Sequence, residues 1–342
     1  MQDFVDQERI KYNLKGLIVS INKDIKTSGN SMTTEPVNKD MLYRTGGQTI
    51  PMFTTLFLIL VDQGYFELTD KIGTFLPQTP NGELITLQML CDMTAGLPDI
   101  INEPIMVNDK DVFRNWTTRE LLDIVYRLTP LYPPGQQFFF GHITNMLLLC
   151  KAIEIRMGQC IKVLLNKFII NKLKLKNTYI LDQITPNNVL HSFNNLRVPE
   201  YEDSTYWSAS WTSYLGKVVT NAHDLSIIIE NICLGTLISK ELHDVQISNP
   251  LNNDNPVFYG LGLVIDKEKN MYWSNANFNG YLGIFAYIMD SNTTICVQTN
   301  TDNNNGFGTR QIVDDFLNFF NEHSFRCFDN TFFSQVLKEE SL

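Results

Sequence analysis

Tyr43-Arg44-Thr45-Gly46-Gly47-Gln48-Thr49-Ile50-Pro51 leads directly into the strongly apolar run Met52 to Val61, which closes at Asp62-Gln63-Gly64. Paired glycines ahead of such a run mark a tight turn feeding a buried helix that stops at a glycine. Pro51 limits where that helix begins, because proline has no N–H to donate to the carbonyl of Gly47 four residues back. The helix is therefore expected to start with Thr49 or Ile50 near its cap and Pro51 in its first turn, where a missing N–H leaves nothing unsatisfied.

A chain of 342 residues with 44% hydrophobic content can bury one large core or two closely joined ones. Its formal charge of -10 argues against a phosphate-neutralising surface, so nucleic acid is not an expected partner. The short run Lys172-Leu173-Lys174-Leu175-Lys176 reads as a solvated face. The start Met1-Gln2-Asp3-Phe4-Val5-Asp6 lacks the basic-then-apolar pattern of a secretory signal, and no apolar run is long enough to span a bilayer. A cytoplasmic location without a membrane partner is the expectation. Six cysteines (Cys91, Cys150, Cys160, Cys233, Cys296, Cys327) show no Cys-x-x-Cys spacing and read as buried thiols. His191, His223, His243 and His323 have no metal-ligand spacing, so neither metal nor other cofactor is expected.

Lys15 to Asn22 reads as a strand, and the polar stretch Lys23 to Asn30 as a turn region beyond it. Helical patterns follow at Thr86 to Met93, at Thr117 to Leu128 with Thr117 as N-cap and Glu120 three residues on, at His142 to Met157, and at Ala222 to Leu234. Tyr259 to Asp266, Asn270 to Trp273, Gly283 to Asp290 and Thr294 to Asn300 then read as antiparallel strands, before an apolar helix face over Arg310 to Phe320. Strands at both ends with helices between predict an α/β (α+β) protein whose antiparallel sheet is formed by the two termini, flanked by helices, with an inserted helical domain. The expected division is a discontinuous sheet domain of residues 1–60 and 215–325, a helical domain of residues 61–214, and a tail of residues 326–342.

This layout resembles the serine β-lactamase and penicillin-binding-protein family over residues 15 to 322, closest to the branch of class C β-lactamases, D-amino-acid peptidases and esterases. The resemblance rests on the opening turn, on Gly64-Tyr65-Phe66-Glu67-Leu68-Thr69-Asp70-Lys71, on Thr94-Ala95-Gly96-Leu97-Pro98, on Pro134-Gly135-Gln136-Gln137-Phe138 and on Tyr259-Gly260-Leu261-Gly262-Leu263. It implies the β-lactamase/transpeptidase-like fold.

It also implies a catalytic constellation that these residues do not supply. The family's first motif is Ser-x-x-Lys, and here Gly47 stands at the serine and Ile50 at the lysine. The second is Tyr-x-Asn, matched by Phe140-Gly141-His142, and the third, Lys-Thr-Gly or His-x-Gly, is matched by Ser274-Asn275-Ala276. An acyl-enzyme needs a nucleophile and a base to deprotonate it, and neither Gly47, Ile50 nor Phe140 can serve. Two spelling matches lie elsewhere: Ser20-Ile21-Asn22-Lys23 ends a predicted strand, where i and i+3 face opposite sides, and Lys26-Thr27-Ser28-Gly29 reads as a turn.

The backbone N–H groups of Gly47 and Asn277 match the family's oxyanion donors, which do not depend on side-chain identity. With Gln48, Trp273 and Tyr281 they are expected to line a residual pocket for a small molecule or peptide. His142 and Ser274 are the one pair that could carry new chemistry, although no acidic orienter is evident for the histidine. The expectation is thus a β-lactamase-like protein without acylation chemistry and with a binding or structural role, the alternative being a serine hydrolase with rearranged catalytic residues.

Overall fold

The computed structural model describes residues 1–31, 34–181, 188–195, 197–198, 200–251, 253–302 and 315. The helix expected over Arg310 to Phe320, apart from Asp315, and the tail of residues 326–342 lie outside the described residues, as do Cys327 and His323.

Seven strands form one sheet in which every neighbouring pair is antiparallel. They are β1 (Gly16–Ile21), β2 (Asp24–Gly29), β3 (Val257–Tyr259), β4 (Val264–Asp266), β5 (Met271–Phe278), β6 (Tyr281–Ile288) and β7 (Thr293–Thr299), in the spatial order β2-β1-β7-β6-β5-β4-β3. The first hairpin joins the late strands through β1 and β7, with Leu17 opposite Thr299 and Ile21 opposite Ile295. This is the sheet completed by early and late segments that the sequence pattern predicted. Every residue of β6 and β7 is buried, which explains why β6 reads as a continuous apolar run rather than as alternation.

The main helices are α1 (Gln2–Lys11), α2 (Ile50–Asp62), α3 (Thr118–Val125), α4 (His142–Met157) and α5 (Ala222–Cys233). Helix α5 packs on β7, β1 and β6, and α2 lies between α5 and α4. All eleven residues from Ile50 to Leu60 are buried, so α2 is apolar on every side because it has neighbours on every side. The caps follow the sequence. Thr117 and Glu120 form a reciprocal capping box on α3, the Asn221 side chain accepts from the Asp224 N–H at 2.9 Å on α5, and Gly158 ends α4 in the left-handed conformation at φ 63°.

Three local expectations fail. Lys23 to Asn30 is not a turn region: Asn22 and Lys23 make a two-residue turn and Asp24–Gly29 is a full strand paired with β1, so Lys26 to Gly29 is strand as well. The stretch Tyr259 to Asp266 is two strands, because Gly262 turns the chain back at φ 92° between them. Helix α1 and the short helix Lys240–Gln246 carry too little apolar periodicity to have been anticipated. Ser20 is buried in β1 with its hydroxyl 3.0 Å from that of Ser226, so its spelling match with Lys23 has no chemical meaning. Among the described residues no helix is long and apolar enough to cross a membrane.

Candidate functional site

The opening turn is held from both sides. Tyr43 and Arg44 pair with Thr220 and Val219, and the buried Arg44 guanidinium donates to the Gly216 carbonyl. Gly46–Thr49 then forms one turn of 3-10 helix, closed by the Ile50 N–H on the Gly47 carbonyl and by the Thr49 hydroxyl on the Gly46 carbonyl at 2.6 Å. Helix α2 starts at Ile50 with Thr49 as its N-cap residue and Pro51 in its first turn, as predicted. The Gly47 carbonyl that proline cannot serve is satisfied one residue earlier, by the tighter 3-10 bond.

Strand β5 lies against this turn. A Cβ on Gly46 would stand 2.9 Å from the Cβ of Phe278 and 3.4 Å from that of Ala276, and Gly46 has φ +48°, so only glycine fits there without strain. A Cβ on Gly47 would stand 3.0 Å from the carbonyl oxygen of Asn275. That carbonyl therefore points away from β6, out of the strand edge. Ladder alternation puts the N–H and C=O of Asn277, two residues on, along the same edge. Since β4 pairs with β5 only from Met271 to Trp273, among the described residues this edge has no strand neighbour beyond Trp273. The Asn277 N–H lies along that edge, and its side chain is exposed.

A cavity of about 180 Å³ opens beside this edge. Phe138, Phe140, Phe258, Tyr259 and Trp273 line it, joined by Ser274, Asn275 and, ahead of β3, Asn249, Pro250, Leu251, Asn253 and Asn255. The aromatic wall is continuous, with ring centroids 5.5 Å apart for Phe138 and Tyr259 and 5.7 Å for Phe140 and Tyr259. Among the described residues no carboxylate, ammonium, guanidinium or imidazole lines it. The loop asparagines turn their amides inward on the loop: Asn249 bonds the Asn253 carbonyl oxygen at 3.1 Å and the Leu251 N–H at 3.0 Å, and Asn255 accepts from the Val257 N–H at 3.0 Å. Burial raises the Tyr259 hydroxyl well above the ordinary phenol range, with Cys91 and Asp92 nearby adding to the effect. Burial also pushes the Asp92 carboxyl up to about 6, against the hydrogen bonds it accepts from the Thr94 hydroxyl and N–H.

His142 opens α4 directly behind this wall, its ring stacked on that of Phe140 at 4.7 Å. Its Nδ1 lies 3.2 Å from the Asp99 carboxylate, which is buried and also accepts from the Ile143 N–H at 3.0 Å. An acidic orienter is therefore present, contrary to expectation. Asp99 follows the Gly96-Leu97-Pro98 turn and caps the short 3-10 helix Ile100–Asn102; the Pro-Asp step marks a turn and a cap but carries no sign of a histidine 43 residues on. Among the described residues no hydrogen bond joins the Ser274 hydroxyl to His142.

The structure brings together some of the residues singled out from sequence and separates others. Phe140, Trp273 and Ser274 share the cavity, and Gly47 meets Asn275 and Ala276 on β5, the strand that also carries Asn277. Gln48 and Tyr281 do not line the pocket. Gln48 follows Gly47 around the tight turn and so faces the interior, only 2% exposed, with its Nε2 2.7 Å from the Cβ position of Gly283. Tyr281 is inside the fold with its hydroxyl on the Leu190 carbonyl. Ile50 is fully buried in the core. Among the described residues no three His, Cys, Asp or Glu side chains cluster as metal ligands.

A family model described as Beta-lactamase matches residues 1–317. Among solved structures, the D-stereospecific amidohydrolase from Streptomyces sp. is similar with a TM-score of 0.79 at 20% identity, over 88% of this chain and 93% of that one. The D-amino acid amidase from Ochrobactrum anthropi SV3, complexed with L-phenylalanine amide, gives 0.81 at 18% identity over 94% and 98%. A penicillin binding protein from Bacillus halodurans gives 0.78 at 14% identity over 92% and 100%. At such identities these likenesses establish the fold.

Proposed function

The chain belongs to the beta-lactamase family, and from that premise we propose that it is a member without acylation chemistry whose cleft serves as a binding pocket for a small neutral ligand. One observation carries this reading: the cavity beside the turn is walled by aromatic rings and, among the described residues, no charged or imidazole side chain lines it to deprotonate a nucleophile. Gly47 and Ile50 support it, since neither the serine nor the lysine implied by the family is available. Loss of the nucleophile alone lowers kcat by about a million-fold in serine hydrolases.

The test is direct. A chromogenic cephalosporin, a p-nitrophenyl ester and D-phenylalanine amide are expected to show no turnover above background, and a fluorophosphonate probe is expected to leave the protein unlabelled. Stoichiometric acylation by any of them would end this reading.

A second reading is favoured by the Asp99 to His142 contact, which supplies the orienting half of a nucleophilic system. On that reading Ser274 is the nucleophile of a rearranged hydrolase acting on an ester or amide. It requires covalent labelling that disappears in Ser274→Ala and persists in Ser213→Ala.

A further inference from the structure

A second cavity, of about 390 Å³, opens at the N-terminal end of α5, between the β1–β2 turn and the segment around Lys174 and Lys176, and shares no residue with the aromatic pocket. Lys23, Lys39, Lys174 and Lys176 line it together with His223. In a chain of formal charge -10 this is a local reversal of sign. Two of the three acids at its wall are engaged: Asp24 pairs with Lys26 at 2.8 Å, and Asp224 accepts from the Asn177 N–H at 2.7 Å and the Thr178 hydroxyl at 3.1 Å. Asp40 is the third. Lys23 pairs with Glu230, but among the described residues Lys39, Lys174 and Lys176 have no carboxylate within ion-pair distance, and all three are exposed.

The backbone makes a second, independent point. Among the described residues eleven non-glycine residues have positive φ, and seven of them are asparagines, which adopt that conformation readily. The remaining four are Lys23 (φ 72°), Met93, Lys174 (φ 55°) and Ser213. Both lysines line this one cavity. Lys23 is the second residue of a two-residue hairpin turn, where glycine is the favoured residue. Lys174 occupies the left-handed position that ends a helical segment, with the Leu175 N–H returning to the Ile170 carbonyl, and glycine is favoured there too. At both positions a cation is kept against the preference of the backbone, and both cations face the same space.

We propose that this cavity binds a small molecule carrying at least two phosphate groups, held by Lys23, Lys39, Lys174 and Lys176. Ammonium groups act as point charges with three donors each, which suits phosphate oxygens that need no planar fork. The volume falls within the range of small-molecule sites, roughly 300–1,000 Å³. The basic run from Lys172 to Lys176, read from sequence as a solvated face, thus becomes one wall of a site.

The test titrates the full chain with inorganic pyrophosphate by calorimetry at low salt, using wild type, Lys23→Gly, Lys174→Gly, the double variant, and Lys240→Ala as a lysine outside the cavity. Each glycine variant is expected to bind about threefold more weakly and the double variant about tenfold, with affinity falling as salt rises. Their melting temperatures are expected to stay level or rise, because glycine relieves the left-handed backbone. A purely structural role for these lysines would change melting temperature and leave affinity unchanged. The proposal is overturned if wild type does not bind pyrophosphate, if the double variant binds as well as wild type, or if Lys240→Ala weakens binding equally.

Discussion

The Cβ position of Gly47 stands 3.0 Å from the carbonyl oxygen of Asn275. A side chain at residue 47 therefore meets the edge of β5 at a separation tighter than carbon and oxygen normally adopt, and the oxygen it meets is an acceptor. Such a carbonyl opposes the negative charge that an attacking serine oxygen develops.

Gly47→Ser is accordingly expected to fold with a modest loss of about 1–3 kcal/mol, as β5 shifts by a few tenths of an ångström. Hydrolysis of p-nitrophenyl acetate is expected to stay at background, and to remain there in Gly47→Ser combined with Phe140→Tyr. Denaturant titration and an initial-rate assay check both halves.

Ile50 is fully buried in the core, so Ile50→Lys places an ammonium group where no described acid meets it. The expected loss is about 3–5 kcal/mol, the penalty of an uncompensated buried charge. Ile50→Leu, which conserves volume, is expected to lose less than about 1.5 kcal/mol. Urea unfolding of the two variants side by side separates charge from packing.

The uncharged aromatic wall is expected to discriminate by ligand charge. Benzamide is expected to raise the melting temperature, whereas benzamidine, of the same shape but cationic at neutral pH, is expected to bind at least about tenfold more weakly because its charge must be desolvated without a partner. Trp273→Ala is expected to weaken benzamide binding by about 1.5–3 kcal/mol through lost apolar contact, read by calorimetry.

Asp92 gives a pH signature. Burial raises its carboxyl to about 6 in the folded protein, while in the unfolded chain it titrates near about 4. Below that lower value it is protonated in both states and contributes nothing to the difference. As pH rises from about 4 to about 6 the folded state holds the extra proton, so stability falls, and above about 6 the loss is complete. Asp92→Asn keeps an oxygen for both Thr94 donors. It is expected to match wild type near pH 4 and to exceed it by about 2–3 kcal/mol at pH 7.5, measured by chemical denaturation at the two pH values.

Much of this architecture was legible because it is local. Thr117 and Glu120 announce a capping box, Asn221 announces α5, and Pro51 after two glycines confines the start of α2 to Thr49 or Ile50. That early and late strands share one sheet was legible from their placing at both ends of the pattern, but the order of strands within it was not, since no periodicity tells β1 that β7 is its neighbour. Side-chain direction was the least legible. Gln48 adjoins Gly47 in sequence but a 3-10 turn sends the two to opposite sides, and Asp99 reaches His142 only because Pro98 and the start of α4 converge in space. The lysines of the second cavity come from three distant segments, and their shared strain is a property of φ that composition does not carry.

The pairing of β1 with β7 sets an order of events on the ribosome. Gly16–Ile21 emerges well before the strand that completes its edge, Thr293–Thr299, which follows the whole helical region. Until then the early hairpin has an open, strongly apolar edge, the kind of surface that recruits other chains. Non-local pairing of this kind is slow to form, so nascent chains halted before Thr293 are expected to depend on chaperones in a way that the finished protein does not.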